Sequence, residues 1–368
     1  MRITQFYGHS GANGVTSYIR DTSDRLRKRG HDVAIVCRAD SELATIPGRT
    51  SYRIAFWLRR LLSKHIRDFK PEVFSVHSEI DAAVVLGAAR ESGVSACYTV
   101  HEATNDAAQF APLADRVIAV SNGVGRFLRD GYPLGDGVLH IIPNGIDPAR
   151  LPREPRQVLR RENGFRDDEI VFCFAGRLVD NKNVLALVRA FARVATSHPG
   201  LRLVVIGDGD RRTDILRLGK DLGIAQRMEL RGWLPRDATM RTIGASDAFV
   251  LPSQRAEGLS IAMLEAMGMA VPVVATDILS LAEGPVRDGE TGWLCAPDEQ
   301  ALARALQRVA SVPTAERSAI GKAALAEIEQ NHQLERVVEQ LEAAYRSAIT
   351  MKRKLAAGRL SDVGKPGK

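Results

Sequence analysis

Short apolar runs separated by amphipathic stretches repeat along almost the whole chain. Runs rich in Val, Ile, Leu and Phe predict strands buried on both faces at 3–7, 33–37, 73–77, 96–100, 117–120 and 139–142. A second series falls at 170–175, 201–206, 228–230, 248–251, 271–275 and 293–295. In the second half, helices open near Asn183, Arg211, Asp237, Ser260 and Asp298, where apolar positions switch to helical spacing. Such alternation predicts an α/β chain with parallel sheets. Between the two series, Pro148-Ala-Arg-Leu-Pro-Arg-Glu-Pro155 is dense in proline and charge, which marks a domain boundary. The expected divisions are 1–147, 148–331, a last helix over 332–350, and a basic tail over 351–368 that reads as disordered.

At 368 residues the chain can build two separate cores, and its apolar (45%) and charged (26%) fractions are those of a globular protein. No apolar run approaches the ~20 residues that span a bilayer. Met1-Arg-Ile-Thr-Gln-Phe6 reads as a first strand and not as a signal peptide. Cys37, Cys97, Cys173 and Cys295 lie far apart beside apolar runs, without metal-ligand spacing, so reduced buried thiols in a cytoplasmic protein are expected. The net charge of +7 is concentrated: seven Arg/Lys against one Asp from Arg49 to Lys70, and six against one from Lys352 to Lys368. On charge alone these patches suit nucleic acid, an acidic membrane or a phosphorylated substrate. Over 53–69, Ile54, Leu58, Leu61, Leu62, Ile66 and Phe69 share one helical face, opposite Arg53, Arg60, Lys64 and Arg67. The plainer reading is a helix covering a sheet; with Trp57, its basic side also suits peripheral contact with lipid head groups, and both can hold.

Candidate chemistry gathers at predicted strand ends. Strand 248–251 stops at Pro252, and a helix starts near Ser260, a plausible N-cap. Glu257 then lies in the loop and Glu265 a turn and a half into the helix, with Gly258 and Leu259 leading to unpaired helix N–H groups. Those groups favour an anion while the carboxylates accept from hydroxyls, so a ligand carrying both phosphates and hydroxyls fits this mix. Solvated glutamates on an ordinary strand-loop-helix unit are the plainer alternative. After strand 170–175, Arg177 and Lys182 suit a diphosphate, since cations offset the charge that grows on a departing phosphate. Gly207 and Gly209, in Val205-Ile-Gly-Asp-Gly-Asp210, allow close approach to a base or ribose. The spacing is not that of a dinucleotide fingerprint, and Asp208 and Asp210 would repel a pyrophosphate there. The loop Gly8-His-Ser-Gly-Ala-Asn-Gly14 after the first strand reads equally as a phosphate loop or a plain turn. His101 follows a buried strand directly, where open α/β sheets bind ligands, and a functional and a structural role remain open for it.

Taken in order, Gly14, Val120-Ser121, Pro143-Asn-Gly-Ile-Asp147, Gly176-Arg177 with Lys182, and the E-x7-E pair Glu257/Glu265 resemble the retaining glycosyltransferases of the GT-B fold, family four. The resemblance covers nearly the whole chain, and the glutamate pair is its most specific element. It implies two Rossmann-like domains facing across a cleft, an acceptor-binding one first and a nucleotide-sugar-binding one second, with the last helix crossing back to the first. It implies that Arg177 and Lys182 hold the donor diphosphate, with Gly14 adding a backbone contact. Glu265 would bind the ribose, Glu257 the hydroxyls of a hexose-type sugar, and His101 the sugar near its reacting carbon. It implies no metal or other cofactor, no nucleic-acid partner, UDP ahead of GDP, and a glycan, glycolipid or other hydroxyl acceptor in cell-envelope polysaccharide synthesis.

The chain departs from that pattern at Asn13-Gly14, where paired glycines are common, and at Leu279-Ser-Leu-Ala-Glu283, which lacks a glycine pair. Short segments after Cys37 and after His101 suggest a pruned acceptor domain, suited to a lipid-linked or large glycan. Two other readings remain: a sugar epimerase or phosphorylase of the same fold, and a catalytically silent nucleotide-sugar-binding partner protein.

Overall fold

The computed structural model describes residues 1–8, 14–37, 52–79, 81–255, 257–278 and 284–363, with backbone alone for 52–55 and 358–363. They divide into two α/β units: Met1–Pro143 together with the chain from Leu334 onward, and Asn144–Gln333.

The first unit carries β1 (Arg2–Tyr7), α1 (Gly14–Lys28), β2 (Asp32–Cys37), α2 (Tyr52–Phe69), β3 (Val73–Val76), α3 (Ala82–Glu91) and β4 (Ser95–Val100). It continues through α4 (Asn105–Ala108), β5 (Arg116–Ala119), α5 (Asn122–Gly131) and β6 (Leu139–Ile141). The strands form one parallel sheet in the order β2-β1-β3-β4-β5-β6. Alternate residues feed opposite faces: in β4, Ala96, Tyr98 and Val100 join one apolar cluster while Cys97 joins the other. Burial on both sides is why these strands read as continuous apolar runs and not as alternating ones.

The second unit repeats the plan. Its elements are α6 (Arg156–Glu162), β7 (Ile170–Ala175), α7 (Val184–Ala195), β8 (Leu201–Ile206), α8 (Arg212–Asp221), β9 (Met228–Gly232), α9 (Arg236–Gly244) and β10 (Ala248–Leu251). They continue with α10 (Ile261–Gly268), β11 (Val273–Thr276), β12 (Gly292–Cys295), α11 (Glu299–Ser311) and α12 (Thr314–Asn331). The parallel order is β12-β11-β10-β7-β8-β9. In β7, Phe172 and Phe174 point to one core, Val171 and Cys173 to the other.

The last helix, α13 (Leu334–Val363), belongs to the first unit. Leu334, Val337, Val338, Leu341, Tyr345 and Ile349 close one sheet face over Ile3, Val73, Cys97 and Ile118. Its flank is tied by Arg29, whose guanidinium meets Glu342 at 2.8 Å and Glu335 at 2.6 Å. Two expectations are corrected here. The chain is helical to Val363, where the sequence predicted disorder from 351, because this end continues a helix already anchored by packing. The first boundary lies at 143/144, ahead of the proline-rich stretch, because the 144–147 segment is bound into the second unit. There Asn144 Nδ2 donates to the Leu259 carbonyl (2.7 Å), Ile146 N donates to the His332 carbonyl (2.9 Å), and His332 Nδ1 lies 2.9 Å from the Asn144 carbonyl.

Among the described residues no helix is long and apolar enough to cross a membrane. Cys37, Cys97 and Cys173 are buried and Cys295 half-buried, all as free thiols.

Candidate functional site

In the second sheet the strand order reverses between β10 and β7: β8 and β9 lie on one side of β7, β10 to β12 on the other. Ligands of open α/β sheets bind outside the carboxyl ends of strands at such a reversal. The loops leaving these two strands carry Arg177, Lys182, Glu257 and Ser253, and they are stitched together. Gln254 N donates to the Asn181 carbonyl (3.0 Å), and its side-chain amide to Asn183 Oδ1 (3.0 Å). Asn183, at φ 54°, ψ 33°, is one of the residue types that tolerates the left-handed conformation needed to turn into α7.

Lys182 Nζ is bonded to Glu257 Oε2, and Ser253 Oγ donates to the same oxygen at 2.7 Å. The two charged side chains keep only 16% and 10% of their exposure, so the cation answers a carboxylate that is largely withdrawn from water. Arg177, one turn earlier in the loop, is exposed. Ser260 caps α10, accepting from Met263 N at 3.4 Å, and Glu265 sits inside the helix, 4% exposed, bonded to the Arg236 guanidinium. Gly258 and Leu259 are buried, and the Leu259 carbonyl is held by Asn144.

Gly207 and Gly209 have φ of 135° and 150°. A Cβ on Gly207 would lie 1.8 Å from the Gly176 carbonyl oxygen, and one on Gly209 2.6 Å from that of Leu178. Leu178 N donates to the Asp208 carbonyl, and Arg211 N to the Leu178 carbonyl. The fold therefore needs both glycines to bring the loop after β8 against the one after β7, before any ligand is considered.

In the first sheet the reversal is between β1 and β3. Gly8 follows β1, with space for a Cβ denied by Ser78 Oγ at 2.5 Å. Residues 9–13 lie outside the described residues, and Gly14 opens α1. His101, partly buried just past β4, meets His77 at the end of β3, Nε2 to Nδ1 at 2.9 Å. Burial pushes the His101 pKa down to about 4, so its ring is neutral at neutral pH. Ser121 caps α5, accepting from Val124 N at 3.1 Å.

Two family models match in tandem: Glycosyltransferase Family 4 over residues 12–150 and Glycosyl transferases group 1 over 155–326. The chain belongs to the GT-B glycosyltransferases of group 1 and family 4. Solved structures of similar fold include a sucrose-phosphate synthase from Thermosynechococcus elongatus, with TM-score 0.85, 20% identity, 95% of this chain and 99% of that one. HepE of Anabaena, solved with UDP and glucose, gives 0.80, 19%, 94% and 100%. Among curated relatives, a D-inositol 3-phosphate glycosyltransferase of Acidothermus cellulolyticus is 25% identical, over 96% of this chain and 90% of that protein. An exopolysaccharide phosphotransferase of Streptomyces coelicolor is 30% identical over 200 residues, 54% of this chain but only 20% of that protein.

For a glycosyltransferase of this group the structure unites two expected site residues directly, Lys182 with Glu257, and sets Glu265 on the next helix. Sequence reasoning missed Ser253, Arg236 and His77. The last could have been noticed, as a polar residue at the carboxyl end of a buried strand. The segment 279–283, expected to depart from the family pattern on the sugar side, lies outside the described residues, as does 38–50.

Proposed function

We propose that the protein is a retaining transferase that moves a hexose-type sugar from a nucleotide diphosphate sugar, UDP-linked in preference to GDP-linked, to a glycan, glycolipid or other hydroxyl acceptor of the cell envelope. The observation that carries this reading is the meeting of Lys182 and Glu257 at the strand-order reversal of the second unit. A carboxylate and a cation side by side serve the two chemistries of such a donor, sugar hydroxyls and diphosphate. Lys182 and Arg177 bind the diphosphate and stabilise it as the bond from the anomeric carbon to its oxygen breaks. Glu257 accepts from hydroxyls of the sugar, Glu265 from the ribose, and Gly14, Gly258 and Leu259 contribute backbone groups. Gly207 and Gly209 keep the loop after β8 close to the nucleoside side. His101, neutral, bonds a hydroxyl of the transferred sugar. The acceptor oxygen attacks the anomeric carbon on the face that the diphosphate leaves, through an oxocarbenium-like species, and its proton passes to the departing phosphate.

With Arg177 and Lys182 supplying the positive charge, we expect no metal requirement, so a chelator should leave turnover unchanged. Binding calorimetry with UDP, GDP and ADP and their sugar conjugates, followed by sugar release with and without acceptors, tests the whole reading. Failure of every nucleotide to bind would refute it.

The first unit is proposed to dock on acidic membrane. Leu58 and Leu62 of α2 are fully buried, while Phe56 (62% exposed) and Trp57 (46%) share the outer side with Arg59, Arg60, Lys64 and Arg67. Residues 351–363 of the basic tail extend α13; 49–51 and 364–368 lie outside the described residues. Sedimentation with anionic but not zwitterionic vesicles is expected, and equal recovery from both would exclude docking driven by charge.

A further inference from the structure

The polar cluster beside His101 is larger than its role in transfer requires. His77, 8% exposed, places Nε2 2.7 Å from Gln5 Oε1 and 2.9 Å from Ser75 Oγ, and Nδ1 2.9 Å from His101 Nε2. With the Gln5 amide oxygen, which only accepts, as the atom that faces it, a neutral His77 carries its proton on Nε2. Its Nδ1 is then a lone pair, and the bond to His101 exists only with a proton on His101 Nε2. That leaves His101 Nδ1 as an acceptor, with no hydrogen-bond partner among the described residues. Ser75 Oγ receives the Tyr345 hydroxyl at 2.9 Å and can accept from His77 on its free side. The Tyr18 ring stands edge-on to both imidazoles, at 5.8 and 5.5 Å, which restricts their rotation. Burial, with the neighbouring His101 adding to it, holds His77 well below the ordinary histidine range. Both rings are thus neutral, and the count of one proton each applies.

We propose that His77 is a positioning residue: with Gln5 behind it, it fixes His101 in the Nε2–H tautomer, so that His101 offers Nδ1 as a hydrogen-bond acceptor to a carbohydrate hydroxyl. This deepens the assignment of His101 to the transferred sugar and rests on it. The chemical class follows from the tautomer, because a lone pair bonds a hydroxyl and repels an ionised phosphate oxygen. His101 would therefore select on the sugar side of the donor, while the diphosphate is left to Arg177 and Lys182.

The test is long-range proton–nitrogen correlation of histidine-labelled protein at neutral pH, alongside steady-state transfer with the best donor found. Wild type should show the Nε2–H pattern at His101. His77→Phe, which removes the acceptor, should give a mixture of tautomers and about tenfold lower kcat, the scale of one lost neutral hydrogen bond. His77→Asn, which puts a carbonyl oxygen near the former Nδ1, should restore both. Gln5→Leu spares both rings and should also mix the tautomers, which covers a failure of His77→Phe to fold. An Nδ1–H pattern in wild type, or an unchanged pattern in His77→Phe and Gln5→Leu, would overturn the relay. Absence of transfer with every donor would instead sink the functional assignment, leaving the tautomer result to be read by itself.

Discussion

Replacing Lys182 by Met removes the cation and keeps most of the side-chain volume. Glu257, 8% exposed, then retains the Ser253 hydroxyl at 2.7 Å but loses its counter-charge. Breaking a buried pair from one side costs about 3–5 kcal/mol. Because these side chains sit at a strand end and keep 16% and 10% exposure, we expect a cost below that range, ~2–3 kcal/mol. Glu257→Gln still offers Lys182 a carbonyl oxygen and should cost ~1 kcal/mol. The double variant Lys182→Met/Glu257→Gln leaves a neutral amide beside Ser253 and should also lose only ~1 kcal/mol. Additivity would predict ~3–4 kcal/mol, so the coupling should be about 2–3 kcal/mol. Urea unfolding followed by Trp293, 1% exposed in the core of the second unit, measures it. Turnover should fall about 10²–10³-fold in Lys182→Met and stay low in the double variant, whose stability recovers. Single variants that are additive and within ~0.5 kcal/mol of wild type would show that the pair does not organise the site. Normal turnover in Lys182→Met would remove the diphosphate role.

Arg236→Leu deletes the guanidinium bonded to Glu265 and should raise the donor KM about tenfold with kcat little changed, since a charge-assisted bond contributes ~1.5–3 kcal/mol; an unchanged KM would dissociate Glu265 from the ribose. Gly207→Ala forces a Cβ to 1.8 Å from the Gly176 carbonyl at φ 135° and should destabilise by roughly 3 kcal/mol, read as a loss of Tm even without ligand. His77 lies well below the ordinary value of 6.5 and His101 is pushed down to about 4, so as pH falls from 6.5 the unfolded chain binds protons that the folded chain refuses. Their contribution is therefore complete above 6.5 and is lost as pH falls below it. Tm should drop from pH 7.5 to pH 5, and less steeply in His101→Phe; parallel slopes would contradict the burial of these rings.

Much of this was legible from apolar periodicity, because strands buried on both faces leave no polar position to break the run. The strand ends at Ala175 and Leu251 placed Arg177, Lys182 and Glu257 in loops, and Ser260 announced its helix. What the chain could not disclose was which loops meet. Lys182 and Glu257 are 75 positions apart, and only the β7–β10 pairing brings them together. Gly207 and Gly209 were read as room for a ligand, although the nearest atoms to a side chain there would be backbone from Gly176 and Leu178. Disorder after residue 350 was inferred from charge, but helix continuation depends on the anchored turns before it, where Tyr345 and Ile349 are buried.

The return of α13 to the first sheet imposes an order on biosynthesis. Ile3, Val73, Cys97 and Ile118 leave the ribosome long before Leu341 and Tyr345, which cover them, with 190 residues of the second unit translated in between. At ~5–20 residues per second that interval lasts roughly 10–40 s, during which one greasy sheet face waits open while its neighbour in the chain can finish folding. A nascent protein of this design gives chaperones a defined window, and a ribosome stalled before Leu334 would release a half-clad, aggregation-prone product.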